Sequence, residues 1–377
     1  MNPLIKLSEL GQSPWYDNIE RRLFDSGEFD KLITEYGILG VTSNPTIFEK
    51  AVQSSDLYDS QIQELTLKGK SAEEVYDDLT IEDVGRAADA LKGVFDRSKG
   101  MDGYVSIEVL PKFAHDVKQT VEYATRIFSR LNRKNIMIKV PGTKNGCRAI
   151  TELIGKGINV NVTLLFSVPH YDAIARAYID GIKNRIDSGG DASGVRSVAS
   201  VFVSRIDSRI DSALELLAEE EADPDKRQKI LALRGRSAVA NMKMVYQRFK
   251  QLFFNEGFKE LAKKGANIQR VLWASTGTKN PAYSDIKYIQ ELIAPDSINT
   301  IPHKTLIAFH DHGDPKLTIE EDTYGAEKDL DFLKTLGIDI DLVCDQIQDK
   351  GVQAFVDSFD SLIGSIRNKA QVVAKKA

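Results

Sequence analysis

The chain has 377 residues, 42% of them hydrophobic and 28% charged, with a formal net charge of -5. That balance excludes the disordered and fibrous classes, and the negative charge argues against general nucleic-acid binding. Two cysteines, Cys147 and Cys344, lie far apart and outside any CxxC, which argues against a disulfide framework or a zinc site; with no apolar run near about 18 residues and no signal core at the N-terminus, the expectation is a soluble cytoplasmic protein with no membrane partner.

Short β-like runs recur along the chain with helical patterns between them. In order they are Trp15 to Ile19, Ile38 to Thr42, Tyr104 to Val109, Ile136 to Val140, Ile158 to Thr163, Val198 to Val203, Val271 to Ser275 and Ser297 to Ile301. The count of about eight is that of a closed (β/α)8 TIM barrel. Ser71-Ala72-Glu73-Glu74 reads as a capping box. Val117 to Leu131 is amphipathic, and Ile206, Ile210, Ala213, Leu214 and Leu217 share one helical face. Helical insertions are expected at about 50–100 and 206–268, and a helical tail packed on the barrel at about 313–377. No repeat, low-complexity segment or linker divides the chain, so a single domain over 1–377 is expected.

Barrel strands covered on both faces are rich in Val, Ile and Leu. Here nearly every one carries polar residues toward its C-terminal end: Asp17; Thr42, Ser43 and Asn44; Glu108; Lys139; Asn161 and Thr163; Ser200 with Arg205; Ser275 and Thr276. Each unpaired polar group would cost about 1–3 kcal/mol to bury. One shared polar cavity at the C-terminal face, where barrel enzymes hold their sites, accounts for all of them together.

Lys139 is the most telling of the set, because lysine is almost never fully buried without a reason. A dry site disfavours an ammonium, and a neutral amine attacks carbonyls to form a Schiff base. Asp17 and Glu108 are candidate acid/base partners. Thr163, Asn44 and Asn161 can position a water or substrate hydroxyls, and Arg205 with Ser200 and Ser275 could bind a phosphate. Each has a plain structural alternative: Lys139 as a strand-end lysine reaching solvent, Asp17 as a helix N-cap, Arg205 paired with Asp207 or Asp211, Glu108 as a satisfied strand-end acid.

The segments Gly40-Val41-Thr42-Ser43-Asn44-Pro45-Thr46-Ile47-Phe48, Val105 to Val109, Ile136 to Pro141, Asn159 to Ser167 and Ala199 to Asp207 resemble the transaldolases of the longer bacterial type, in order and spacing from about Asp17 to Pro302. The resemblance implies a class I aldolase barrel that uses no metal or organic cofactor, with Lys139 as the Schiff-base lysine and Asp17 as acid/base. It gives Glu108 and Thr163 the catalytic water, Asn44 and Asn161 the substrate hydroxyls, and Ser200, Arg205 and Ser275 the phosphate. It implies transfer of a dihydroxyacetone unit between sugar phosphates in the pentose phosphate pathway. Shorter relatives carry a second phosphate-binding arginine after strand 7; here Ala274 to Pro281 has none, and Lys279 is the replacement cation.

Three rivals stand beside this reading. The related fructose 6-phosphate aldolases have a tyrosine where this chain has Phe202, and that hydroxyl helps protonate the enamine, so Phe202 favours transfer. A non-catalytic sugar-phosphate-binding barrel predicts an inert lysine. A metal site at His310-Asp311-His312 competes with a surface turn ahead of Gly313-Asp314-Pro315. The residues leave the oligomeric state open between monomer and homodimer.

Overall fold

The computed structural model describes residues 2–374, with side chains through Gln371. Seven strands form one parallel sheet: β1 Gln12–Tyr16, β2 Val105–Glu108, β3 Ile136–Pro141, β4 Val160–Leu165, β5 Ser197–Phe202, β6 Arg270–Ala274 and β7 Ser297–Ile301. Their order around the sheet is β1-β7-β6-β5-β4-β3-β2. All are buried along their whole length, the polar Asn161, Thr163, Ser197 and Ser200 included.

The expected strand over Ile38 to Thr42 is reduced to one bridging residue. Val41 pairs with both Tyr16 and Val105 and so fills the second of eight positions around the ring. The amide of Thr42 donates to Tyr16 O at 2.9 Å and that of Ser106 to Val41 O at 3.0 Å. On the β1 side Pro14 accepts from Leu39 N at 2.9 Å but, lacking an N–H, donates nothing to this segment. Gly40 belongs to the same contact: a Cβ there would fall 2.4 Å from Trp15 Cε2. The first strand also starts and ends earlier than its apolar run suggests, which leaves Asp17 just beyond its C-terminal end.

Helices fill the connections. Asn44 caps the helix Pro45–Ser54 by accepting from Ile47 N, with Pro45 in the first turn. The helix Ala72–Ala90 opens with the reciprocal Ser71/Glu74 capping box. Between β5 and β6 stand the helices Ser204–Glu220, Pro224–Leu231, Ser237–Phe253 and Glu256–Lys263. In the first of these Ile206, Ile210 and Leu214 are buried, and Ala213 and Leu217 are partly covered. After β7 come His303–His312, Thr323–Thr335 and Ile340–Ala374. Among the described residues no helix is long and apolar enough to cross a membrane.

The N-terminal end of the barrel is sealed by a polar knot. Arg270 donates to Ser13 Oγ (2.9 Å) and Asp102 Oδ1 (2.8 Å), and Trp15 Nε1 donates to the same carboxylate at 3.0 Å. Its donors and acceptors bond to one another, so none is left buried and unpaired. The open end is the other one.

Candidate active site

At the C-terminal mouth lies a cavity of about 330 Å³, lined among others by Asp17, Asn44, Lys139, Ser200, Phe202 and Arg205. Strand pairing brings its floor together. Glu108 lies opposite Lys139 in the β2–β3 register, and Lys139 lies opposite Asn161 in β3–β4. Side chains two residues apart share a face, so Asn161 and Thr163 both point inward.

Lys139 is 4% exposed. Its Nζ donates to the carbonyl of Ser43 at 2.8 Å and stands 2.8 Å from Glu108 Oε1. A snorkelling strand-end lysine is therefore ruled out. A buried ion pair of this kind is no more stable than a well-packed apolar pair, yet removing one partner costs about 3–5 kcal/mol. Fold stability alone gives no reason to keep it. Burial pushes the Glu108 carboxyl above the usual carboxylate range, with Asp17 adding to the rise and Lys139 opposing it. A carboxyl with a raised hold on protons is suited to accept one from a donor beside it.

Asp17 is half-buried and accepts from Thr42 Oγ1 at 2.8 Å; Thr42 Oγ1 in turn lies 2.6 Å from Thr300 Oγ1. It caps no helix. Burial raises its carboxyl as well, against the pull of Lys139, the Thr42 hydrogen bond and Lys279. Two carboxyls with raised affinity for protons thus flank one lysine.

Arg205 sits half-buried on the opposite wall, with its guanidinium carbon 5.3 Å from the centre of the Phe202 ring. It does not pair with its helix acids. Asp207 accepts from Ala238 N and Tyr288 Oη, and Asp211 from Gly235 N and Tyr283 Oη. Burial alone lowers the hold of Arg205 on its proton. Ser275, in left-handed backbone at φ 55°, lines the cavity with its Oγ 3.0 Å from Ser204 Oγ. Lys279 also lines it, but from an exposed position at the rim.

Asn44, Ser200 and Phe202 reach the cavity, whereas Glu108, Asn161 and Thr163 are buried outside its lining. Ser200 Oγ donates to Asn161 Oδ1 at 2.7 Å, and Asn161 Nδ2 donates to Ser106 Oγ at 2.9 Å. Thr163 Oγ1 is buried without a hydrogen-bond partner among the described residues. Lining residues that escaped the sequence reading include Thr46 and Lys50 on the helix Pro45–Ser54, Thr300 on β7, and Phe355 on the C-terminal helix. The spacing of Thr46 and Lys50, four apart in a helix capped by Asn44, would have found the first two. The two histidines of the His310 to His312 segment are both exposed and face different partners: His310 lies against Tyr36, and His312 between Asp285 and Asp311.

Fold and mouth together define an α/β-barrel enzyme with a buried lysine amine beside Glu108, at a cavity that Asp17 also lines. The chain belongs to the transaldolase/fructose-6-phosphate aldolase family, whose sequence profile matches residues 14–366. It is 42% identical over 372 residues to the transaldolase of Trichodesmium erythraeum (strain IMS101), covering 98% of either chain. It is 43% identical over 366 residues to that of Frankia alni (strain DSM 45986 / CECT 9034 / ACN14a), covering 97% of this chain and 96% of the relative. Transaldolase 1 of Streptomyces coelicolor (strain ATCC BAA-471 / A3(2) / M145) is 43% identical over 364 residues, with 96% and 93% covered.

Proposed function

We propose that this protein is a cytoplasmic transaldolase that moves a dihydroxyacetone unit from sedoheptulose 7-phosphate to glyceraldehyde 3-phosphate, giving erythrose 4-phosphate and fructose 6-phosphate. The observation that carries the reading is the buried Lys139, which lines one cavity with Asp17 and Arg205 and stands 2.8 Å from Glu108 behind it.

Glu108 takes a proton from Lys139, whose neutral Nζ adds to the ketose carbonyl. The carbinolamine loses water, with Glu108 returning the proton and Thr163 holding the water, and an iminium remains. Asp17 takes the proton of the C4 hydroxyl, the C3–C4 bond breaks, and its electron pair flows into the iminium to give an enamine. The aldose phosphate leaves. The enamine carbon then attacks the incoming aldehyde, Asp17 returns its proton to the new hydroxyl, and water releases the ketose from Lys139. Asn44 and Asn161 contact substrate hydroxyls, and Asn161 holds Ser200 in place for the phosphate. Arg205 and Ser275 take the phosphate, with Lys279 adding charge from the rim.

A fructose 6-phosphate aldolase activity is the second reading, and Phe202 weighs against it. Its ring lies between Phe166 and Arg205 and offers no hydroxyl to protonate the enamine. Borohydride reduction in the presence of fructose 6-phosphate is expected to fix the dihydroxyacetone unit to wild-type protein and not to Lys139→Ala. An adduct on Lys139→Ala refutes the assignment.

A further inference from the structure

The C-terminal helix Ile340–Ala374 reaches the catalytic lysine from the far end of the sequence. Gln348 Nε2 donates to Leu164 O at 2.8 Å and to Gly142 O at 3.2 Å, tying the helix to the tips of β3 and β4. Gly351 runs close over the mouth: a Cβ there would lie 3.0 Å from Leu164 Cδ2 and 3.4 Å from Arg205 Nη1. One turn on, Phe355 is 6% exposed and its ring centre is 5.9 Å from Lys139 Nζ. Ser358 Oγ then meets Thr46 Oγ1 at 2.9 Å on the helix Pro45–Ser54. The helix is thus fastened on both sides of the mouth, with Phe355 between the fastenings.

Phe355 borders two spaces at once. One is the mouth cavity. The other is a crevice of about 10 Å³ formed with Glu108, Lys139, Pro141, Leu164 and Val352. That volume is the size of a single water molecule. The ring therefore separates a one-water space beside the Lys139–Glu108 pair from the open cavity.

We propose that Phe355 is a specificity-determining residue that commits the enamine to transfer by keeping bulk water away from it. The inference rests on the Schiff-base reading above. The enamine has two fates. Its nucleophilic carbon can attack an aldehyde carbon. Alternatively it can take a proton from water or an acid, after which water adds to the iminium carbon, the C–N bond breaks, and free dihydroxyacetone leaves with Lys139 restored. The proton gained at carbon replaces the one that Asp17 removed from the C4 hydroxyl, and the water consumed replaces the one lost when the Schiff base formed, so release needs no further reactant. Phe202 supplies an apolar wall without an acidic hydroxyl on the Arg205 side, and Phe355 supplies one over the lysine. Closing a site against water suppresses such side reactions.

The test compares full-length wild type, Phe355→Leu and Phe355→Ala. Free dihydroxyacetone release is measured with fructose 6-phosphate alone, and transfer is measured with added erythrose 4-phosphate. The ratio of release to transfer is expected to rise about tenfold in Phe355→Ala and to stay near wild type in Phe355→Leu, which restores an apolar plug. If the two rates fall together and the ratio holds, Phe355 is a packing residue only and the inference is overturned. Should Phe355→Ala fail to fold, Phe355→Val carries the same comparison. Wild type that gives no borohydride-trapped adduct overturns the Schiff-base reading along with this one; a trapped adduct with an unchanged ratio overturns this one alone.

Discussion

Gln348 hands its side-chain amide to the carbonyl of Leu164, the residue at which β4 leaves its register and turns into left-handed backbone at φ 60°. Such a conformation is strained for a branched side chain and persists only where its surroundings hold it. Gln348→Ala withdraws a donor from that carbonyl, which costs about 1–3 kcal/mol. The urea midpoint is expected to fall with an unchanged slope, and turnover to fall further than stability, because Thr163 directly precedes Leu164. A variant with the wild-type midpoint would show that solvent satisfies the carbonyl equally well.

Arg205 and Lys279 both line the cavity, but only Arg205 is half-buried. Charge-assisted hydrogen bonds of a partly desolvated guanidinium are worth about 1.5–3 kcal/mol. Arg205→Ala is expected to lower kcat/KM for phosphorylated substrates about 10- to 100-fold. Arg205→Lys should recover little of that, since an ammonium cannot make the fork. Lys279→Ala should cost less than about fivefold, the value of an exposed charge. Steady-state kinetics with a phosphorylated and an unphosphorylated acceptor read all three; equal losses for both acceptors would place Arg205 outside the phosphate site.

Asp207 ties the first helix after β5 to Tyr288 and to the Ala238 amide, and burial pushes its carboxyl up to about 6. The unfolded value is about 3.9. A carboxyl raised on folding binds its proton more tightly in the native state. Its contribution is therefore full below about pH 4 and is lost as pH rises through about 6, a fall of about 3 kcal/mol. Asp207→Asn, which cannot ionise, should flatten that part of the profile. Urea unfolding of both proteins at pH 4, 5, 6 and 7 tests it, and parallel curves would refute the linkage.

Gly40→Ala drives a methyl group into the Trp15 indole. Trp15 is fully buried and its Nε1 is tied to Asp102, so the ring has nowhere to move. A loss of about 1–3 kcal/mol is expected from the overpacking. Thermal denaturation would show the drop, and an unshifted transition would mean that the second ring position gives way instead.

The strands were legible because each is buried on both faces and reads as an apolar run closed by polar residues. The run Ile38 to Thr42 was legible as a strand, but not its reduction to one bridging residue, because Val41's pairing with Tyr16 and Val105 shows only in the fold. Lys139, Glu108 and Asp17 could be read from polarity set into apolar strands. Ser200 and Asn161 were found, but not that they bond to each other, because that needs the register of two strands. Phe355 was out of reach. It belongs to an amphipathic helix whose apolar stripe says that it is covered and not what covers it.

The tie between the C-terminal helix and the tips of β3 and β4 also bears on biosynthesis. All seven strands are made before Gln348 and Phe355. During synthesis a growing chain can close its barrel and pair Lys139 with Glu108 while the mouth still lacks its cover, because domains begin to fold as they emerge. On the reading proposed above, the amine of Lys139 would be in place before Phe355, and shielding of the intermediate would arrive with the last helix of the described chain.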